Sequence, residues 1–140
     1  MRSTNMQPLP NIDWMLNELV GGVPHVRHVV VLSSDGLCIG QASTAPDTAD
    51  AIAAACSGLQ SLARAIAQMF PHGDGSTRTV GIEADGGYFC QMAAGPGAYL
   101  AVLADEEVDA GLLGDRMRTL VVRIGRHMTS PPRDDVRQAM

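Results

Sequence analysis

Apolar residues along this chain fall into blocks whose spacing switches from helical to alternating and back. Ile12, Leu16, Leu19 and Val20 recur on one side of a short helix. Asn11 stands where its cap belongs, and Gly21-Gly22 where it should stop. "HVRHVVVLSS" is β-branched and predicts a strand, Asp35-Gly36 a tight turn, and "LCIGQA" the returning strand. Pro46 and Asp47 then lead into a long helix that ends near Phe70. After the loop "PHGDGS", the segment "TRTVGIEA" alternates as a third strand. Asp85-Gly86-Gly87 turns it into "YFCQMAA", and Gly95-Pro96-Gly97 turns that into "AYLAVLA".

Asp105 is expected to cap a last helix with Glu106 and Glu107 in its first turn. Leu112, Leu113, Met117, Leu120, Val121, Ile124 and Met128 follow at helical spacing, and Arg123, Arg126 and His127 sit near its end. The predicted order is α-β-β-α-β-β-β-α. It implies an α+β fold in which one five-stranded antiparallel sheet is sandwiched between helices. Residues 11–128 form the predicted domain. Residues 1–10 and 129–140 lack periodicity and are expected to be flexible tails.

The long helix poses a question of its own. From Ala51 to Phe70 its only charged residue is Arg64. At about 100° per residue, Ile52, Cys56, Leu59, Ala63, Ile66 and Phe70 form a stripe expected to lie on the sheet. Opposite come Ala54, Ser57, Gly58, Ser61, Arg64, Ala65 and Gln68. An Ala-rich surface helix needs no partner, since Ala has the best helix propensity. A mid-helix glycine such as Gly58, however, costs about 0.5–1 kcal/mol unless close packing offsets it. Ala54, Gly58, Ser61 and Ala65 form a row of small residues that lets a second helix approach closely. If "TRTVGIEA" ends the sheet, it has Arg78 as its only basic gatekeeper and no proline, so its edge invites another strand. One isologous dimer satisfies both features. The expected interface is Ala54, Ser57, Gly58, Ser61 and Ala65 on the helix, with Thr77, Thr79 and Gly81 on the strand.

Composition narrows the chemistry. The 46% hydrophobic and 18% charged content is that of a globular chain, and 4% aromatic leaves a core of Ala, Val, Leu, Ile and Met. A net charge of −5 argues against a nucleic-acid binder. All ten basic residues are Arg, and without lysine no P-loop G-x-x-x-x-G-K-[ST] exists. Gln60, Gln68, Ser57, Ser61 and Arg64 disqualify the long helix as a membrane span. "MRSTNMQPLP" has no apolar core of a signal peptide, so a cytoplasmic location is expected. Cys38, Cys56 and Cys90 are odd in number, lie in apolar runs and read as reduced core residues.

No catalytic constellation emerges. Asp35 and Asp85 belong to turns, Glu106-Glu107 to a helix start, and Ser33-Ser34 lacks a nucleophile's G-x-S-x-G setting. His25, His28, His72 and His127 match no zinc spacing, and Trp14 reads as a packing residue. Arg64, a lone charge on a neutral face, is either a solvated rim residue or a partner contact. A binding module without metal, cofactor or active site is expected.

The order of these elements, together with "GGVPHVRHVVVLSSDGLCIGQAS", "TVGIEADGGYFCQMAAGPGAYLAVLAD" and "AGLL", resembles the roadblock / dynein light chain superfamily, particularly its bacterial members. The resemblance covers about residues 11–128. It implies a fold similar to profilin and longin domains, and a dimer formed by edge-to-edge sheet extension with the long helices side by side. It further implies a small Ras-like GTPase as partner, some bacterial members stimulating its hydrolysis. Actinobacterial relatives often share operons with a sensor-kinase-like protein and a small GTPase. On the paired helices, Gln60, Arg64 and Gln68 are expected as GTPase-facing rim contacts. The alternative is a small-ligand sensor of the PAS or GAF type, which shares small α/β architecture.

Overall fold

A computed structural model describes residues 11–129; the expected tails at 1–10 and 130–140 lie outside the described residues. The elements run α1 (Asp13–Gly22), β1 (Val26–Ser33), β2 (Cys38–Ala42), α2 (Pro46–Ala67), β3 (Thr79–Ala84), β4 (Gly87–Ala93), β5 (Ala98–Asp105) and α3 (Ala110–Thr129). The strands form one antiparallel sheet in the order β2-β1-β5-β4-β3. Three hairpins supply its neighbouring pairs, and the β1–β5 pairing joins them. The α+β architecture expected from the element order is the one observed.

Both faces of the sheet are covered, so β1 is apolar on both sides. Val29 and Val31 point to a core shared with Ile12 and Leu16 of the α1 region, Leu100 and Val102 of β5, and Met117 and Ile124 of α3. Val30 and Leu32 point the other way, to Ala49, Ala53 and Cys56 of α2. Turn chemistry sets the β1–β2 hairpin: Gly36 takes φ +88° and its N–H donates to the Ser33 carbonyl at 2.9 Å.

The two edges of the sheet differ. At β2, the Asp13 carboxylate of α1 accepts the Gln41 N–H at 2.9 Å, so a side chain occupies an edge donor. Gly40 permits this approach, because a Cβ there would come within 2.9 Å of Ile12 and 3.0 Å of Asp13. At β3 no described element lies against the outer edge in the sheet, and five of its six residues are exposed. A bare strand edge is a template for pairing.

Helix α1 ends where Gly21-Gly22 was expected to stop it: Gly22 is its last residue, and Val23 follows as the cap, its N–H donating to the Leu19 carbonyl at 3.1 Å. Two local expectations need correction. Thr129 belongs to α3, not to a tail. Asp105 does not cap α3: it is the last residue of β5, paired with Gly87, and its carboxylate meets Arg27 at 3.3 Å. Glu106 and Glu107 sit in the turn that follows. Asp109 holds the capping role, its Oδ1 accepting the Leu112 N–H at 3.0 Å.

Candidate functional site

Helix α2 meets the sheet through a row of small or narrow side chains. Ala49, Ala53, Cys56 and Gln60, spaced 4, 3 and 4 apart, are its buried residues. This row is rotated from the stripe expected to face the sheet. Cys56 is buried and Ile52, Leu59 and Ala63 are half-buried, but Ile66 and Phe70 are 57% and 64% exposed. The second half of α2 therefore carries apolar side chains into solvent. Ala55, Leu59, Leu62 and Ile66 of α2 follow a 4-3-4 spacing, the seam pattern of paired helices, and Met69 lies in the turn just beyond its end. Of eight large exposed apolar residues among those described, five are Leu62, Ile66, Met69, Phe70 and Ile82. Such concentration marks an interaction surface, where scattered single residues would not.

That flank looks onto the bare end of the sheet. Ala55, Cys56 and Leu59 of α2, with Ile82 of β3 and Phe89 of β4, line an apolar cleft of about 250 Å³. Ile82 and Phe89 also border a second cleft of about 420 Å³ at the strand ends, reaching Arg27, His28, Tyr88 and Leu103. The apolar helix flank, the cleft and the open β3 edge form one continuous surface.

The residues expected at an interface are distributed unevenly on this frame. Ala54, Gly58, Ser61 and Ala65 are all exposed on the side of α2 away from the sheet, and no atom lies within 4 Å of where a Gly58 Cβ would stand. Ser57 is half-buried instead, its hydroxyl donating to the Ser34 carbonyl at 3.1 Å beside the β1–β2 turn. Thr79 and Gly81 are exposed on β3, while Thr77 is half-buried.

Gln60 requires a correction, since it is not on the rim. It is 5% exposed; its Nε2 donates to Thr77 Oγ1 at 2.8 Å and its Oε1 accepts from Gln91 Nε2 at 2.8 Å. A polar side chain can occupy the sheet-facing row because two partners satisfy it. Arg64 and Gln68 are exposed. Helical geometry sets Arg64 about 160° around α2 from Ile66's neighbour on the apolar flank, Leu62, so basic and apolar contacts fall on opposite flanks.

The titratable groups show no catalytic grouping among the described residues. Burial pushes the Cys56 thiol up to about 11 and raises Cys38 and Cys90 as well, with Asp50 adding to the shift at Cys38. Buried thiols of raised pKa are poor nucleophiles. His25, Asp105 and Glu107 bring ligand-type atoms within 4.8 Å of one another, a cluster sequence spacing did not reveal. Arg27 already engages Asp105 there.

Comparison with known proteins accords with this architecture. Residues 12–104 match the Roadblock/LC7 domain. A Roadblock/LC7 domain from Streptomyces avermitilis is 42% identical, with a TM-score of 0.77 over 82% of this chain and 95% of that one. The gliding protein MglB from Thermus thermophilus shares the fold at 15% identity, with a TM-score of 0.78 over 89% of this chain and 93% of that one. Profilin II of Acanthamoeba castellanii shares it more loosely, at 18% identity and a TM-score of 0.54 over 81% and 94%. No curated protein matches the chain. By the span of the family match and the identity to the Streptomyces domain, this chain belongs to the Roadblock/LC7 family.

Proposed function

We propose that the protein is a homodimeric regulator of a small Ras-like GTPase, acting as activator or scaffold without an active site of its own. The carrying observation is the apolar flank of α2 set beside the unpaired β3 edge. Two copies related by a two-fold axis would join their β3 strands and bring their α2 helices together, covering both features in one contact. Leu62, Ile66 and Met69 would form the apolar centre, and the small row of Ala54, Gly58, Ser61 and Ala65 would let the helices cross closely.

The GTPase reading rests on family membership, through what the resemblance to bacterial roadblock proteins implies. The paired α2 helices provide its platform, with Arg64 and Gln68 as exposed polar contacts and a sensor-kinase-like protein as a further member of the assembly. The working unit is residues 11–129, in the cytoplasm. Among the described residues no helix is long and apolar enough to cross a membrane.

Single-turnover GTP hydrolysis by the Ras-like GTPase encoded nearest the gene, with and without this protein, tests the reading. Binding is measured in the GTP and GDP states alongside. Acceleration makes the protein an activator, and state-dependent binding without acceleration makes it a scaffold. Absence of binding in both states rejects that partner. The 420 Å³ cleft at the strand ends then favours the ligand-sensor alternative, which a copurifying small molecule would support.

A further inference from the structure

The free edge of β3 has a phase that its hairpin fixes. The Arg78 carbonyl accepts the Ala93 N–H at 3.1 Å, one position ahead of the facing pair Thr79 and Met92. Hydrogen-bonded and non-hydrogen-bonded pairs alternate along an antiparallel ladder. Val80, Ile82 and Ala84 therefore spend their backbone groups on β4, and Thr79, Gly81 and Glu83 turn theirs outward. The two-residue turn at Asp85-Gly86, closing on the pair Ala84 and Gly87, sets the same phase. Side chains alternate with it. Ile82 stands with Phe89 on the α2 face, and Gly81 lies on the other, its missing Cβ 3.4 Å from the Tyr88 hydroxyl.

A second copy meeting this edge about a two-fold axis normal to the sheet pairs antiparallel and keeps both α2 helices on one face. Only registers that set outward residues opposite one another make hydrogen bonds. With Gly81 on the axis, Thr79 faces Glu83 of the partner subunit, Gly81 faces Gly81 of the partner subunit, and Glu83 faces the partner's Thr79. Each facing pair exchanges two bonds, and no outward group of β3 is left over. With Val80 on the axis, Glu83 faces the partner's Thr77, which precedes the strand and whose hydroxyl oxygen accepts from Gln60 at 2.8 Å. With Ile82 on the axis, Thr79 faces the partner's Asp85 in the turn. The two Glu83 carboxylates then stand diagonally, about 7–8 Å apart, as like charges. Larger shifts pair less of the strand.

We propose that the homodimer pairs its β3 strands in the register centred on Gly81. This rests on the homodimeric reading and adds to it the residue on the axis and the contacts that follow. Glycine leaves the axis free of Cβ atoms, and the Thr79 hydroxyl donates to the carboxylate of the partner's Glu83 at two symmetric places. On the α2 face the partner's Val80 stands opposite Ile82, which is 43% exposed in the single chain. The partner's Val80 thereby adds a wall to the apolar cleft of about 250 Å³ between α2 and Ile82, which one copy alone leaves open.

Ile82 and the partner's Val80 form a non-hydrogen-bonded pair, whose Cα atoms stand about 4.5 Å apart, within the span of a disulfide. Val80→Cys and Ile82→Cys are made separately in the full chain carrying Cys56→Ala, since Cys56 borders Ile82 in the cleft. Tags of two lengths distinguish the chains, which are expressed alone and together and then oxidised with glutathione disulfide. The mixed pair should yield covalent dimer about tenfold faster than either variant alone. Fast product from Ile82→Cys alone puts Ile82 on the axis, and from Val80→Cys alone puts Val80 there. Either result overturns the register and leaves the homodimer standing. Absence of product from a chain that sedimentation velocity shows to be dimeric overturns the β3 pairing. A monomer in sedimentation rejects the homodimer itself, and the register with it. Charge supplies a check at two exposed positions that needs no cysteine. Thr79→Glu should weaken self-association about tenfold, and Glu83→Arg added to the same chain should restore it. Failure to restore it overturns the proposal.

Discussion

The side-chain amide of Gln91 on β4 donates to that of Gln60 on α2 at 2.8 Å, and Gln60 in turn donates to Thr77 Oγ1 at 2.8 Å. Both glutamines are buried, at 1% and 5% exposure. Thr77 leads into β3, so one polar bridge ties together the helix with the apolar flank, the sheet, and the approach to the bare edge. The two halves of the proposed dimer surface are thereby held in fixed relation.

Gln60→Ala should cost about 1–3 kcal/mol, because it leaves the Gln91 amide buried without its acceptor. Gln91 Oε1 already lacks a partner among the described residues, so this side chain has little to spare. Replacing both by Leu should cost much less than the single truncation, since no buried donor is then stranded. Urea unfolding of Gln60→Leu, Gln91→Leu and the double Leu variant measures the coupling directly.

The same bridge shows where sequence reading reached its limit. The hairpins were legible because Asp35-Gly36 and Asp85-Gly86 carry turn chemistry of their own. The edge position of β3 could be raised as a condition from its composition. The rotation of α2 could not be read. A helix rich in Ala has several faces of nearly equal apolarity, so spacing alone cannot say which one meets the sheet. The decision rests on fit: Ala49, Ala53 and Cys56 are small enough for close approach, and Gln60 finds partners brought in from distant segments. Ile66 and Phe70, the more hydrophobic residues, are left outside. The cap of α3 failed for a related reason. Asp105 and Asp109 are chemically identical, and strand pairing to Gly87, invisible in local sequence, claims the first.

The two aspartates can be told apart by mutation. Asp109→Ala removes the acceptor for the Leu112 N–H and should cost about 1 kcal/mol. Asp105→Ala removes a long, exposed pair with Arg27 and should cost less, within about 0 to 1 kcal/mol. Thermal unfolding monitored by circular dichroism should order the variants accordingly. Equal losses would place the cap elsewhere.

Cys56 predicts a dependence on alkaline pH. Burial raises its pKa from 9.0 to about 11, so between these values the unfolded thiol ionises while the folded one keeps its proton. The folded state then binds more protons, and stability falls as pH rises through this window. The raised values of Cys38, Cys90 and Tyr88 act in the same direction. Cys56→Ala should flatten part of the decline, measurable as a smaller change in urea midpoint between about pH 9 and about pH 11, the edges of the window. At pH 8 only about one Cys56 in a thousand would be thiolate, so labelling by iodoacetamide should be slow in the folded protein.

Ile66→Asp and Gly58→Leu separate the two ways in which α2 can meet its copy. They lie about 80° apart around the helix, one on the apolar flank and one on the small row. Ile66→Asp places a charge in the proposed apolar centre and should weaken self-association about tenfold or more. Gly58→Leu adds bulk where the isolated chain has nothing within 4 Å, so it should leave the fold intact and act only on a closely packed neighbour. Sedimentation velocity reads the assembly and circular dichroism the fold. Dissociation by both variants would indicate a close crossing that uses both faces. Loss with Ile66→Asp alone would put the contact on the flank, with the helices too far apart to need the small row. A dimer indifferent to both would have to be held by the β3 edge without α2, and the paired-helix platform proposed for the GTPase would fall with it.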